Sequence, residues 1–380
     1  MPDKIDLVRF RRNLHSRPEL SREEAETAKT VAETLEKFNP TEVITGLGGH
    51  GVAGVFDTGK QGPAIMLRAD LDALPIEEEN DFEYISKNPG VAHSCGHDGH
   101  MSIMVGAAEQ LSKILPNLKG RIVLLFQPAE EIAFGAKAVL EDEKFKRIEP
   151  DYVFGLHNLP GFPEGSIISI KGEFASASQG LVAKFKGKTS HAGEPQHGYN
   201  PVLAMTAAIH GLMAIPSMHT PIERSALVTV IHARLGEVAF GTSPGYAEVM
   251  ATFRSHRNLE MQVMEARAEE LIQGIAGTYG LQSSTEWVEV FPAICNNDEC
   301  VGIIEHAAID AGAEIVHPEF PFSWTEDFSY YLQRYKGAFF GLGAGVDHPQ
   351  LHNPDYDFPD RIIPKGLEVY INIVKSLLGS

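Results

Sequence analysis

The residues most able to do chemistry crowd into VAHSCGHDGHM, positions 91–101. Cys95 and His97 lie two apart, so in extended backbone both side chains leave on one side. Thiolate and imidazole together are good ligands for zinc and its neighbours. A buried cysteine beside surface histidines is the ordinary alternative. Three histidines, a cysteine and an aspartate within eight residues argue against it.

A second cluster, FQPAEE at 126–131, directly follows the apolar run IVLLF. Strand ends in an open α/β sheet face the crevice where ligands bind. Adjacent carboxylates at Glu130 and Glu131 repel each other, and one serving as metal ligand while the other shuttles protons resolves the conflict. Without the strand before it, the pair would read as a solvated loop. LRADLDALP at 67–75 ends another strand. Its Asp70 and Asp72 project together, able to bind metal or to orient a ligand histidine. His157 closes the strand in FGLHN, and His352 sits in the late loop QLHNP; each gains meaning only beside the others. One thiolate, three imidazoles and a carboxylate, with a second carboxylate adjacent, suffice for two divalent ions that share a water, lower its pKa and clamp a carbonyl oxygen.

The elements that must position these groups read as α/β. Apolar residues recur at helical spacing through 3–38, with Pro18 as a break. GVAGVFD (51–57), AIMLRAD (64–70), GRIVLLFQ (120–127) and DYVFGLHN (151–158) read as buried strands. DGHMSIMVGAAEQLSKIL (98–115) and GAKAVLED (135–142) read as helices between them. Such alternation predicts a largely parallel sheet covered on both faces. From about residue 179 the pattern becomes strand, helix (200–215), strands (226–235 and 246–254), helix (259–280) and strand (283–291). That βαββαβ order is the split motif of a ferredoxin-like domain. A helix at 299–312 and the glycine-rich GAFFGLGAG then lead into HPQLHNPDYDFPD, as if the chain returns to its first domain. We therefore expect domains at 1–178 with 293–380, and at 179–292.

Composition bounds the function. The chain has 380 residues, 43% of them hydrophobic, with 51 acidic against 32 basic residues and a net charge of −19. A nucleic acid or an anionic membrane needs a basic footprint, so neither is an expected partner. Three cysteines, Cys95, Cys295 and Cys300, make no disulfide framework and fit a reducing compartment. With no apolar stretch of signal-peptide length at the start and no run of about 18 apolar residues, the expectation is a cytoplasmic protein.

LRADLDALP, HSCGHDGH, FQPAEE, FGLHN, GKTSHAGEP, TEDFS (325–329) and LHNPDYDF occur in the same order as in the aminoacylase and carboxypeptidase G metallopeptidase family. The chain most resembles the amidohydrolase branch containing hippurate hydrolase, auxin-conjugate amidohydrolase and N-acetyldiaminopimelate deacetylase; RRNLHSRPELSREEAETA is similar to that branch too. The resemblance implies a zinc-exopeptidase-like catalytic domain with a mixed, largely parallel sheet, and an inserted lid and dimerisation domain. It implies metal ligation by Cys95, His97, Glu131, His157 and His352, with Glu130 as general base. Asp72 would support a ligand, and His191 would stabilise the oxyanion. The implied metals are two divalent ions, zinc or manganese first, with cobalt or nickel as alternatives. The implied reaction is amide hydrolysis of N-acyl amino acids, with a dipeptidase or carboxypeptidase as the runner-up, carried out by a homodimer.

The departures fall on the substrate side. Gly241 stands in AFGTSPG where the family usually has asparagine, and Gln196 follows Pro195 where histidine is usual, with His197 one place later. A substrate carboxylate needs a cation, and Arg254 at the end of YAEVMATFR is the best arginine fork for it. His197, Tyr199 or Asn200 could replace the donor absent at 241. Two other classes compete: a cysteine nucleophile at Cys95 with a histidine base, and a non-catalytic metal-binding protein, for which Glu130 has no use. GLGGHG at 46–51 lacks the third glycine of a nucleotide-binding loop.

Overall fold

Nearly unbroken apolar runs form strands buried on both faces, as parallel sheets require. The computed structural model describes residues 4–379 except residue 224. In its first part the order is α1 (Leu7–His15), α2 (Ala25–Glu36), β1 (Glu42–Leu47), β2 (Gly51–Asp57), β3 (Ala64–Asp70), α3 (His97–Ile114), β4 (Arg121–Gln127), α4 (Gly135–Glu141), β5 (Tyr152–Pro160) and β6 (Ile167–Ile168). Next come β7 (Ala177–Lys186), α5 (Val202–His219), β8 (Ala226–Leu235), β9 (Tyr246–Ser255), α6 (Asn258–Thr278) and β10 (Gln282–Phe291). The chain ends with α7 (Asp298–Asp310), β11 (Ile315–Val316), β12 (Lys336–Gly345) and α8 (Ile363–Leu378).

Contacts divide the chain into two compact units. The larger contains Met1–Phe174, Ile294–Phe320 and Glu326–Ser380, and the smaller Ala175–Ala293 with Pro321–Thr325.

In the larger unit eight strands lie in the order β1-β2-β4-β3-β5-β12-β6-β11. The central β4-β3-β5-β12 ribbon is parallel. The β1–β2 hairpin joins β4 antiparallel, and β6 joins β12 antiparallel, so the sheet is mixed around a parallel centre. Because β3, β4 and β5 run the same way, Asp70, Gln127 and His157 come to their C-terminal ends on one edge. Helix α3, which begins at His97, packs against β3, α1 and α8.

Among the elements unread in the sequence, the strands β1, β6 and β11 included, two are central to the larger unit. GAFFGLGAG is not a lead-in to the late loop but most of β12, a central strand almost wholly buried. Glycine is required there by close packing: a Cβ on Gly341 would lie 2.3 Å from Leu159 Cδ1. The amphipathic run after Pro364 forms α8, whose Val369, Tyr370, Ile373 and Val374 are buried.

The smaller unit has the element order βαββαβ and an antiparallel sheet, β8-β9-β7-β10. Alternate residues of β7 and β9 point into its core with Ala204, Ala208, Leu212 and Ile215 of α5 and Met264, Ala268 and Ile272 of α6. By length and composition α5 could cross a bilayer. Here it packs against α6, β8 and β9 instead, and leaves Leu203, Met213 and Met218 exposed.

Candidate metal centre

The turn before α3 sets the first donors. Gly96 has φ +86, a left-handed conformation that favours glycine, and a Cβ on it would meet Asn158 Oδ1 at 2.5 Å. Cys95 and His97 flank this turn. Cys95 Sγ lies 3.3 Å from His157 Nε2. Potential donor atoms of Cys95, His97 and His157 fall within 4.8 Å of one another, as do those of Cys95, Glu131 and His352, and those of His97, Glu130 and Glu131. All five expected ligands, together with Glu130, thus form one interlocked group inside the larger unit.

Two imidazoles are oriented by backbone carbonyls. His97 Nδ1 lies 2.8 Å from the Asp72 carbonyl, and His157 Nδ1 lies 2.9 Å from the Asn158 carbonyl. A carbonyl accepts only, so each Nδ1 carries its proton and donates, leaving Nε2 as a lone-pair donor toward the centre. The Asp72 side chain stands 3.4 Å from His97 Nδ1 and binds two other groups: it accepts Ser21 Oγ–H at 2.7 Å and the Glu131 N–H at 3.0 Å.

The donor set fits divalent cations. His97 Nε2 and Glu131 Oε1 are buried, 3.8 Å apart and without hydrogen-bond partners. Orphaned buried donors of this kind call for an unseen partner such as an ion. Burial, then Glu131, Glu130 and Asp70, push the Cys95 thiol well above its ordinary range. Burial pushes the Glu131 carboxyl up to about 7, with His97 opposing and Asp72 adding to the rise. A cation would reverse both shifts. Burial, followed by His100, holds His157 well below the usual histidine value, and burial with His97 lowers His352, so both rest in the neutral, ligating form. His97 is the exception: burial would lower it, but Asp70, Asp72 and Glu131 outweigh burial and raise it to about 10. It would therefore have to release a proton to serve as a ligand.

Glu130 is held differently from its neighbour. Its Oε1 accepts the Asp327 N–H at 3.3 Å, and its carboxylate clusters with Glu326 and Asp327. Burial, then Glu326, Glu131 and Asp327, push it well above the usual carboxylate range. Beneath it the Arg68 guanidinium donates to Asp70 at 2.7 Å, Asp327 at 2.8 Å and Gln127 at 3.0 Å, and lies 3.0 Å from Glu326. His100 joins Asp70 to Asn158, and Asn158 reaches the Tyr356 hydroxyl. Arg68, His100, Glu326, Asp327 and Tyr356 were assigned no role from the sequence. TEDFS and the charges breaking two apolar runs were the signals available.

The remaining expected residues lie in the smaller unit. His191 is exposed on a two-residue ladder opposite Thr242, and its Nδ1 accepts the Gly193 N–H at 3.1 Å. His197 is in a short turn. Asn200 Oδ1 accepts the Val202 N–H at the start of α5, while its Nδ2 donates to Ser243 Oγ at 3.0 Å. Arg254 donates to the Ser323 carbonyl at 2.9 Å.

Residues 66–376 match the model of peptidase family M20/M25/M40. The chain belongs to this family. It is 34% identical over 378 residues to an N-acetyl-L-cysteine deacetylase of Bacillus subtilis, an alignment covering 98% of this chain and 88% of the relative. It is 32% identical over 385 residues to the hippurate hydrolase of Campylobacter jejuni, covering 100% and 99%. Among solved structures, a dinuclear metal-binding peptidase of the M20 family from Bacillus subtilis superposes with a TM-score of 0.83 at 29% identity, over 97% of this chain and 96% of that one. The chain is a hydrolase acting on amide bonds.

Proposed function

We propose that this protein hydrolyses the amide bond of N-acyl amino acids with two divalent ions held by Cys95, His97, Glu131, His157 and His352. The observation that carries this reading is the interlocking of the donor sets through Cys95 and Glu131, with the carboxylate of Glu130 alongside. Cys95 belongs to a set with His97 and His157 and to another with Glu131 and His352, so these five residues would hold two ions between them. Bound ions would supply an acidified water and polarise the scissile carbonyl.

The chain's own groups do the rest. Glu130 takes a proton from the attacking water and hands it to the leaving amine nitrogen. Its burial among Glu326 and Asp327 makes proton uptake favourable, and the Asp327 N–H aims it. Asp72 keeps the His97 ring in place through its carbonyl. His191 donates to the developing oxyanion, and Arg254 binds the substrate carboxylate, with His197 and Asn200 as further polar contacts. The thiolate and imidazoles of this mixed S, N, O set suit zinc, and its carboxylate leaves manganese as the alternative. Homodimerisation through the smaller unit is supported by exposed Leu227 and Ile231 on edge strand β8 and by the exposed apolar residues of α5, an edge that otherwise invites pairing. Cytoplasmic residence is supported by three unbridged cysteines.

The test is a hydrolysis screen of N-acetyl and N-benzoyl amino acids and dipeptides, with zinc, manganese and cobalt. N-acyl amino acids should be cleaved faster than dipeptides, chelator should abolish turnover and metal restore it. Activity untouched by chelator, with less than one ion per chain after reconstitution, sinks the reading. Arg254→Ala should lower kcat/KM about 10- to 100-fold on free acids, the worth of a charge-assisted hydrogen bond, while sparing methyl esters. Equal losses on both would remove Arg254 from carboxylate binding.

A further inference from the structure

The segment Ser21-Arg22-Glu23-Glu24 stands directly before α2 with the spacing of a capping box, in which serine and glutamate satisfy the helix's first N–H groups. The structure uses it otherwise. Glu19 caps α2, accepting the Thr27 N–H at 2.7 Å and the Glu26 N–H at 3.3 Å. Neither Ser21 nor Glu24 makes a side-chain bond to the helix end. Glu24 reaches instead to the loop that carries the twin carboxylates, and Ser21 to Asp72, which accepts an N–H of that loop.

Glu24 is fully buried, and its Oε1 accepts the Ala129 N–H at 2.8 Å. Ala129 has φ +51, a left-handed conformation that a residue with a Cβ adopts only when its surroundings hold it there. Two residues on, the Glu131 N–H donates to Asp72 Oδ2, the same oxygen that accepts the Ser21 hydroxyl. The N–H groups on either side of Glu130 are therefore each held by a carboxylate. One carboxylate comes from the segment before α2, and the other is gripped by it.

We propose that Ser21 and Glu24 are positioning residues of the metal centre. They act through Ala129 and Asp72, fixing the turn that aims Glu130 and Glu131 in different directions. Neither touches substrate or metal. The inference rests on the ligand assignment above, and its main readout is metal affinity, which does not depend on which amide is cleaved.

The experiment compares full-length wild type with Glu24→Ala, Glu24→Gln and Ser21→Ala, each reconstituted with zinc. Measured are ions per chain, affinity by chelator competition, kcat and KM on N-acetyl amino acids, and the melting point of the metal-free protein. Glu24→Ala is expected to weaken one ion's affinity about 10- to 100-fold, the usual effect of losing a group that orients a ligand. It should lower kcat with KM nearly unchanged and move the metal-free melting point little. Glu24→Gln keeps an acceptor oxygen for Ala129 and should restore affinity to within a few-fold of wild type. Wild-type affinity and kcat in Glu24→Ala overturn the proposal, as does a Glu24→Gln defect equal to that of Glu24→Ala. Should Glu24→Ala fail to fold, Ser21→Ala decides: about 10-fold weaker zinc supports the proposal, and unchanged zinc affinity overturns it. A wild type that binds two ions yet cleaves no amide would instead count against the proposed function alone.

Discussion

The two units treat polar side chains in opposite ways. In the larger one Arg11, Arg68, Asp70, Asp72, Asp98, His97, His100 and Asp327 are all at most 1% exposed and tied into networks. In the smaller one Glu260 is the only charged side chain buried among the described residues, and its core is alanine, valine, leucine, isoleucine, methionine and phenylalanine. Its polar residues of interest, His191, His197 and Asn200, are exposed. Buried hydrogen-bonded charges cannot reorient without losing partners in a low-dielectric setting, so the larger unit offers a preformed centre. Exposed groups on an apolar scaffold can change at little cost to folding. Chemistry should therefore be intolerant of substitution in the first unit and substrate choice adjustable in the second.

The largest expected effect sharpens the first half of that contrast. Glu130→Gln preserves shape and removes a base, so turnover should fall by about 10²–10⁴, the contribution of a positioned proton acceptor. Both ions should stay, since Glu130 is not among the five proposed ligands. Glu131→Gln should do the reverse and lose metal first. Metal analysis beside steady-state rates separates them, and a Glu130→Gln enzyme with normal turnover would remove it as the base.

A smaller effect tests whether buried charge, rather than metal, sets the larger unit's stability. His15 bonds Asp98 at 2.9 Å and Glu78 at 3.0 Å, beside Arg11, which donates to Asp98 and Asp357. Burial would lower the His15 pKa, but Asp98 and Glu78 raise it to about 9. Its folded value exceeds its unfolded value of about 6.5. The stabilisation is therefore complete below about pH 6.5 and lost as pH rises through about 9. Metal-free protein should lose about 3 kcal/mol at most across that window. His15→Gln should be less stable at pH 6 and show a flatter profile. Parallel profiles for the two proteins in urea titrations would show that His15 is not the titrating group.

How much of this was legible follows from the range of each interaction. Four of the candidate groups were readable because they are announced locally, Cys95 and His97 two apart and Glu130 and Glu131 after a buried strand, whereas His157 and His352 gained meaning only beside them. The ferredoxin-like order was readable from alternating periodicities. Arg68 was not, because its partner Asp327 is 259 residues away and nothing near Arg68 in the chain implies it. Strand β12 was missed because its glycines answer to neighbours such as Leu159, not to strand propensity. The role of Ser21 and Glu24 was hidden behind a pattern that usually means a helix cap.

The smallest expected effect probes the adjustable unit at Gly241. Gly241 sits beside the His191 ladder, and its carbonyl accepts the Ala192 N–H at 3.0 Å. A Cβ added there meets nothing within 4 Å, and its φ is not in the left-handed range. Asparagine should therefore enter without clash or strain. Removing a glycine also lowers the entropy of the unfolded chain, which is worth about 0.4–1 kcal/mol when the native backbone accepts the new residue. Gly241→Asn should consequently leave the melting point unchanged or slightly raised, and leave metal content alone. The new amide adds a hydrogen-bonding group next to His191, so the ratio of kcat/KM for N-acetyl over N-benzoyl substrates should shift, by about 10-fold at most for one neutral hydrogen bond. A loss of more than about 1 kcal/mol in stability would mean the position is not open. An unchanged substrate ratio, with stability intact, would mean that residue 241 does not read the acyl group and that specificity lies elsewhere on this unit.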